Sequence, residues 1–419
     1  MSRVLSWTCV AALATAGMLS ACTGDSNRSA SPEDWSVVAT IEVGLSPDRV
    51  AISPDGTRAY VTDRRDDTLH VIDTETNEVL KVVDLAEEDR EGGSSENYPG
   101  GARPTSVAAA PDPGLVYVVT RDGRVLMVTP DSGEVVATNS SVSIPDPLGL
   151  AGVGTFAARD VTVLPQGVAY TVGQVRYYSG IPSERGDYRG EQVEQGALKA
   201  VAMRVDDGFL LPDQGEVVLI GGDAVALAAA SDGDEIYVLS TKGDDDQNGI
   251  VSIVDISTGS PRVDTTVDVP GFPSDIEVSR DGRLAYVAIL HDRVAVVDLE
   301  RGEVVNERIG TEGIVDLAVS PDGKYALVPG FCFVGGGSGY RYFDGVMVVN
   351  LAQNEVVDTI EIAGDEPRVP TGAASVGWDV VGVVFSPDGL HAYVTGRYNY
   401  AGEANGPDDQ PGAVIVLGS

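Results

Sequence analysis

From Trp35 onward the chain is built of short segments in which apolar and polar positions alternate, each closed by a turn signal. One unit, VAISPDGTRAYVTDRRDDTLHVIDTETNEVLKVVDL, spans residues 50–85 and shows the pattern clearly. A short apolar run leads into Ser-Pro-Asp-Gly. A strand with a tyrosine follows, then a strand ending in Asp, a polar turn and a last strand. Period-two alternation rich in Val, Ile and Thr predicts a β-strand for each piece. Pro presets φ and Gly is free to take φ > 0, so Pro-Asp-Gly between apolar runs is turn chemistry. With 50 Gly and 23 Pro, the chain leaves little room for helix.

The unit repeats. Ser320-Pro321-Asp322-Gly323 and Ser386-Pro387-Asp388-Gly389 match Pro54-Asp55-Gly56, with variants at Ser279–Gly282, Ser231–Gly233, Pro111–Gly114 and Pro165–Gly167. One strand tyrosine follows each of the seven turns: Tyr60, Tyr117, Tyr170, Tyr237, Tyr286, Tyr325 and Tyr393. Repeats of this length that cannot bury their own apolar faces stack into solenoids or propellers. The ends favour a ring. WSVVATIEV at Trp35–Val43 is an outermost strand with no blade before it, and AVIVLGS at the C-terminus is a third strand with no fourth after it. The expectation is an all-β, seven-bladed β-propeller of four-stranded antiparallel blades, closed by the N-terminal strand completing the last blade. Closure removes an exposed sheet edge.

The strand motif stands as AYVTD at 59–63 and AYVTG at 392–396. In these residues the chain resembles the YVTN-repeat β-propeller family, over residues 35–419. The resemblance implies four-stranded blades and no single activity, since such proteins are mostly surface or secreted proteins of binding or unknown function.

The N-terminus has a different character. Arg3 precedes an apolar stretch from Val4 to Leu19, and Leu19-Ser20-Ala21-Cys22 follows. This resembles a bacterial lipoprotein signal, with residues 1–21 removed and Cys22 carrying lipid. Residues 22–34 then form a polar tether with an r.m.s. reach of roughly 20 Å, and 35–419 the propeller. The expected location is extracytoplasmic, lipid-anchored to the cell membrane. Cys9 leaves with the signal and Cys22 is lipidated, so Cys332 has no intrachain disulfide partner. The 64 acidic and 28 basic side chains give a net charge of −36. That surface repels phosphate backbones, which argues against a nucleic-acid partner. The same acidity suits a saline habitat or ion binding.

On the face opposite the Pro-Asp-Gly turns, seven connections are long: 86–104, 139–158, 173–199, 241–249, 329–345, 363–380 and 396–412. Long connections in a compact domain concentrate function. All eight remaining tyrosines fall there, namely Tyr98, Tyr177, Tyr178, Tyr188, Tyr340, Tyr342, Tyr398 and Tyr400, together with Trp378, Phe331, Phe333 and Phe343. Such aromatics suit recognition of a protein, glycan or small ligand; the alternative is that they pack the loops onto the blades.

Two groups of carboxylates are candidate cation ligands. Asp244, Asp246 and Asn248 sit at alternate positions before Gly249, the start of a Ca²⁺ loop, with Ser252 as a closing oxygen; the alternative is a solvated acidic hairpin. The residues before the innermost strands are Arg49, Ser106, Asp160, Ala226, Asp275, Asp316 and Gly382. Arg49, Asp160, Asp275 and Asp316 would meet at the top of the axial channel, where the carboxylates either hold a divalent metal, pair with Arg49 and Arg159, or stay hydrated. The three His residues fall on different parts of the repeat, so neither a catalytic triad nor a multi-His metal centre is expected. Three functions remain: a non-catalytic binding module, a metal-dependent propeller hydrolase of the lactonase kind, or a structural envelope protein.

Overall fold

A computed structural model of the protein describes residues 35–86, 101–111, 114–139, 143–144, 154–178, 192–205, 208–210, 217–242, 248–290, 293–310, 314, 316–334, 341–362, 376–400 and 411–418. The closing strand, β1 (Ser36–Glu42), comes first. Blade 1 is β2 (Pro47–Ile52), β3 (Arg58–Asp63), β4 (Thr68–Asp73) and β5 (Glu78–Asp84), and blade 2 is β6 (Pro104–Ala109), β7 (Val116–Thr120), β8 (Val125–Thr129) and β9 (Glu134–Asn139). Blade 3 is β10 (Ser143–Ile144), β11 (Gly154–Val163), β12 (Val168–Tyr178), β13 (Gln192–Val205), β14 (Gly208–Leu210) and β15 (Val217–Ile220). Blade 4 is β16 (Asp223–Ala229), β17 (Glu235–Thr241), β18 (Gly249–Asp255) and β19 (Arg262–Val269), and blade 5 is β20 (Pro273–Val278), β21 (Leu284–Ile289), β22 (Arg293–Asp298) and β23 (Glu303–Gly310). Blade 6 is β24 (Ala318–Val319), β25 (Tyr325–Val334), β26 (Arg341–Asn350) and β27 (Glu355–Glu361), and blade 7 opens with β28 (Val376–Phe385), β29 (His391–Tyr400) and β30 (Ala413–Gly418).

Each blade is an antiparallel meander. Blade 7 has the order β1-β30-β29-β28, so the N-terminal strand closes the ring as the end patterns imply. Ser36 pairs with Gly418 and Glu42 with Ala413, which puts both ends of the propeller on the Pro-Asp-Gly face. In blade 3 the outer strand is split: β14 pairs the lower end of β13 and β15 its upper part.

Burial follows position in the blade. Second and third strands are covered on both sides and read as nearly continuous apolar runs, as in Val116–Thr120, where every residue is buried. Outermost strands alternate, leaving Leu80 and Val82 exposed. Of the seven strand tyrosines six are buried and Tyr325 is half-buried, each in a core between neighbouring blades. Burial raises the Tyr60 and Tyr117 phenols to about 12.

The turn motif is explained by its side chains. Ser53 Oγ donates to Asp55 Oδ1 (2.6 Å), which also accepts the Thr57 N–H (3.0 Å), and the Arg58 N–H closes onto Ser53 Oγ (3.0 Å). The Ser–Asp bond recurs at Ser279–Asp281, Ser320–Asp322 and Ser386–Asp388. Gly56, Gly282, Gly323 and Gly389 sit at φ between 69° and 74°, where a side chain is strained. Much of the acidity on this face is therefore turn structure.

The long connections of blades 3, 6 and 7 differ from the loops expected. Residues 154–158, 173–178, 192–199, 329–334, 341–345, 376–380 and 396–400 are strand. These blades raise their strands above the ring, so Tyr177, Tyr178, Tyr342, Trp378, Tyr398 and Tyr400 are strand residues rather than loop residues. Tyr98, Tyr188 and Tyr340 lie outside the described residues.

Candidate functional site

The innermost strands carry a shared irregularity. Pairing with the second strand shifts register at Pro47/Val50, Pro104/Ser106, Ala158/Asp160, Ala224/Ala226, Pro273/Asp275 and Val380/Gly382. A bulge turns the residue beside it out of the regular pleat. The ring residues named from sequence fall at these bulges in six blades, and Asp316 directly precedes β24 in the other. Threonines of the second strands satisfy the disturbed backbone. Thr62 Oγ1 accepts from the Arg49 N–H (3.1 Å), while Thr171 Oγ1 donates to the Asp160 carbonyl (2.6 Å) and Thr395 Oγ1 to the Asp48 carbonyl (2.6 Å). The threonine of the AYVT motif is thus a bulge clamp.

The structure brings Arg49, Asp160, Asp275 and Asp316 together and gives each a partner. Asp160 accepts from Ser106 Oγ (2.6 Å) and, across to blade 4, from the Leu227 N–H (3.2 Å). Asp275 accepts from the Leu317 N–H (3.2 Å) of blade 6, and Asp316 from the Val383 N–H (2.9 Å) of blade 7. In each case a ring carboxylate ties its blade to the next. Arg49 of blade 1 reaches over blade 7 to form a close ion pair with Asp316. It crosses at Gly382, where a Cβ would lie 2.6 Å from the Asp48 carbonyl oxygen and 2.7 Å from Thr395 Oγ1.

Glu277 joins this cluster, and sequence reasoning missed it. It is the second residue after Asp275 on β20 and reads as an ordinary polar position of an alternating strand; only ring closure makes that face the channel wall. Burial, reinforced by Asp316, pushes its carboxyl up to about 8. Burial also raises Asp160, and it raises Asp275 well above the usual range with help from the Asp316 carboxylate. Burial alone would lower the Arg49 pKa; the carboxylates of Asp316, Asp275 and Asp160 outweigh it and hold the guanidinium charged. Arg49 thus faces the carboxyl groups of Asp316, Asp275 and Asp160, with Glu277 beside Asp316, and burial holds Asp160, Asp275 and Glu277 toward the neutral form. Among the described residues no three His, Cys, Asp or Glu side chains are arranged to hold a metal ion.

No protein-family model matches the chain, and no curated protein matches it. Among solved structures it is similar to the β-propeller domain of Cps50 (Swd1) from Myceliophteria thermophila, with a TM-score of 0.55 at 10% identity, covering 92% of this chain and 99% of that one. The fold is a seven-bladed β-propeller. At that identity the likeness speaks for architecture alone.

The other candidate residues fall elsewhere. Asp244 and Asp246 lie outside the described residues. The Asn248 side chain accepts from the Gly271 N–H at 3.4 Å. Ser252 is buried within β18, paired with Val238 and Thr266. It lies three residues beyond Gly249, about 10 Å along the strand. It belongs to the blade interior, while the acidic run of the expected loop lies outside the described residues. A second network is also absent from the sequence reading. Asp63, the last residue of AYVTD, is fully buried and accepts from the Ser46, Arg65 and Asp66 N–H groups at 2.7, 2.9 and 2.9 Å. Beside it the buried His70 takes the Gly44 N–H at 3.3 Å, and burial lowers its pKa. These residues lock the connection that leads from the closing strand into blade 1.

Proposed function

We propose that the protein is a non-catalytic binding module of YVTN-repeat type, held outside the cytoplasm by a lipid on Cys22, whose raised top face engages a protein, glycan or small ligand. The observation that carries this reading is a division of labour. The axial carboxylates are taken up by the ring's own ion pair and blade-to-blade hydrogen bonds, whereas the strands of blades 3, 6 and 7 that rise above the ring bear a concentration of aromatic residues. Aromatic side chains supply contact area at low entropic cost. The acidic surface favours cationic partners and disfavours nucleic acid. Ca²⁺ at Asp244 and Asp246 would belong to the same face.

Arrays of peptides and glycans probed with the protein in moderate salt, beside a lactone and ester hydrolysis screen with and without divalent metal, test the reading. Saturable binding without turnover is expected. Metal-dependent turnover abolished by Asp316→Asn would replace it with the hydrolase reading. Calorimetric titration with Ca²⁺, repeated on Asp244→Ala/Asp246→Ala, tests the loop, and heat that survives the double substitution removes the ion from it.

A further inference from the structure

The chain passes from β1 to β2 through residues 43–46, and this short connection is held from both sides. Toward blade 7, the Val43 N–H donates to the Gly412 carbonyl (3.0 Å), and the Gly412 N–H donates to the Gly44 carbonyl (2.7 Å). Toward blade 1, three successive N–H groups each meet a side chain. Gly44 donates to His70 Nε2 (3.3 Å), Leu45 to Asp66 Oδ2 (2.9 Å) and Ser46 to Asp63 Oδ2 (2.7 Å). The fit leaves no room at Gly44, where a Cβ would run into the carboxylates of Asp63 and Asp66. β1 pairs with β30 in blade 7 and leaves that blade here, so residues 43–46 are the hinge of the closing strand.

Of the three acceptors, only the imidazole can be turned into a donor by a proton near neutral pH. His70 is buried in β4, paired with Val61 of β3 and Val82 of β5. Its Nε2 accepts from Gly44 and lies 3.1 Å from Thr68 Oγ1. An accepting Nε2 leaves the proton of the neutral ring on Nδ1, which is buried with no hydrogen-bond partner among the described residues. A second proton therefore goes to Nε2, where it confronts the Gly44 N–H. The Thr68 hydroxyl can turn to accept it; the amide cannot. The titratable groups acting on the ring are Asp63 at the end of β3 and Asp66 in the turn that follows; residues 43–46, Val61 and Val82 carry none. Both carboxylates are already engaged by backbone N–H groups. Burial outweighs their attraction and lowers the His70 pKa from its ordinary 6.5.

We infer that His70 is an acid-sensitive pin in the seam that closes the ring: neutral, it holds the exit of the closing strand against blade 1, and protonated, it gives up Gly44 and loosens β1 from blade 7. Gly44 offers its N–H to blade 1 and its carbonyl to blade 7, so a peptide freed on one side is less firmly fixed on the other. Above pH 6.5 the pin is fully set. Between 6.5 and the lowered folded value, opening the seam takes up a proton, and the opening constant rises as pH falls, by up to about tenfold per pH unit. The channel acids act in the opposite sense. Asp160, Asp275 and Glu277 have raised pKa values, so their protonation favours the folded ring. Acid is thus directed at the closing strand and not at the blades in general. The inference does not depend on the binding-module reading, since it concerns the seam and not the top-face ligand.

Hydrogen exchange of the full chain at pH 7.5 and pH 5, corrected for the intrinsic rate at each pH, tests this. Protection of β1 is compared with that of β19, the outermost strand of blade 4. At the lower pH, β1 is expected to lose protection several-fold relative to β19. His70→Gln, whose side-chain carbonyl can accept from Gly44 and takes up no proton there, is expected to keep the ratio constant. No relative loss in the parent, or a loss that persists in His70→Gln, overturns the inference. Nitrogen-15 spectra of the parent labelled at histidine give a second reading that needs no folded His70 variant. The chain has three His residues, and His291→Gln and His391→Gln assign the other two signals. His70 is expected as the Nδ1–H tautomer with a midpoint below 6.5. The Nε2–H tautomer, or a midpoint at or above 6.5, overturns the inference.

Discussion

A carboxyl group on a channel wall has opposite consequences for stability on the two sides of its pKa. Glu277 titrates near 8 in the folded protein against an ordinary value of 4.5. While protonated it suits its half-buried site on the channel wall. As pH rises from about 4.5 through 8, the folded state is forced to carry a charge that the unfolded chain carries freely, and stability falls. Every tenfold weakening of an acid on folding corresponds to about 1.4 kcal/mol; the site touches the channel, so the realised loss is on the order of a few kcal/mol. Melting temperature measured from pH 5 to pH 9 is expected to decline over this window, and Glu277→Gln to flatten the decline. A variant that follows the parent's slope would show that Glu277 is hydrated and titrates as an ordinary glutamate. Arg49, the ion-pair partner of Asp316, gives a complementary prediction. Arg49→Met leaves Asp316 buried without its cation, at a cost on the order of 3 kcal/mol by denaturant unfolding. Adding Asp316→Asn is expected to restore part of the loss. If the double variant is no more stable than the single one, the ion pair is not what Arg49 contributes.

At the scale of elements, the seam between blades 7 and 1 depends on a residue with no side chain. A methyl group at Gly382 would meet the Asp48 carbonyl and Thr395 Oγ1 within 2.7 Å. Both atoms already share a hydrogen bond of 2.6 Å. Gly382→Ala is expected to destabilise by about 1–3 kcal/mol through overpacking, with a larger fall in melting temperature than Gly167→Ala, whose glycine at φ 86° has nothing within 4 Å of an added Cβ. Equal effects would mean that backbone strain, and not crowding at the seam, sets the cost. Glycines also mark the limit of what is legible in the sequence. The blades are readable because every blade repeats one burial scheme, so Tyr60 and Tyr393 answer to the same spacing. The raised strands are not, because Gly330, Gly345, Gly377 and Gly396 interrupt the β-branched pattern that marks a strand, and pairing with a neighbouring strand supplies what propensity lacks. Glu277 is illegible in principle, since an inward acid and an outward acid look alike in an alternating strand.

Across the whole molecule the two faces differ in construction, and this would give the proposed lipid anchor a direction. The Pro-Asp-Gly face is made of tight turns locked by Ser–Asp pairs, and both Trp35 and Gly418 lie on it. A lipid on Cys22 joined by residues 23–34 would hold that face toward the membrane, within roughly 20 Å, and present the raised hairpins outward. Cys22→Ser is expected to move the protein from the detergent phase to the aqueous phase of fractionated membranes. Orientation is read from two labels placed in a Cys332→Ser background: Leu390→Cys in a turn of the Pro-Asp-Gly face, where Leu390 is exposed, and Asn399→Cys on a raised strand. With the lipid in place, a membrane-impermeant maleimide is expected to reach Asn399→Cys several times faster than Leu390→Cys. Cys22→Ser should erase the difference, because a released propeller tumbles freely. Equal rates in the anchored protein would mean that the tether lets the ring turn over, and faster labelling at Leu390→Cys would put the aromatic hairpins against the membrane, making the lipid surface itself the partner to examine.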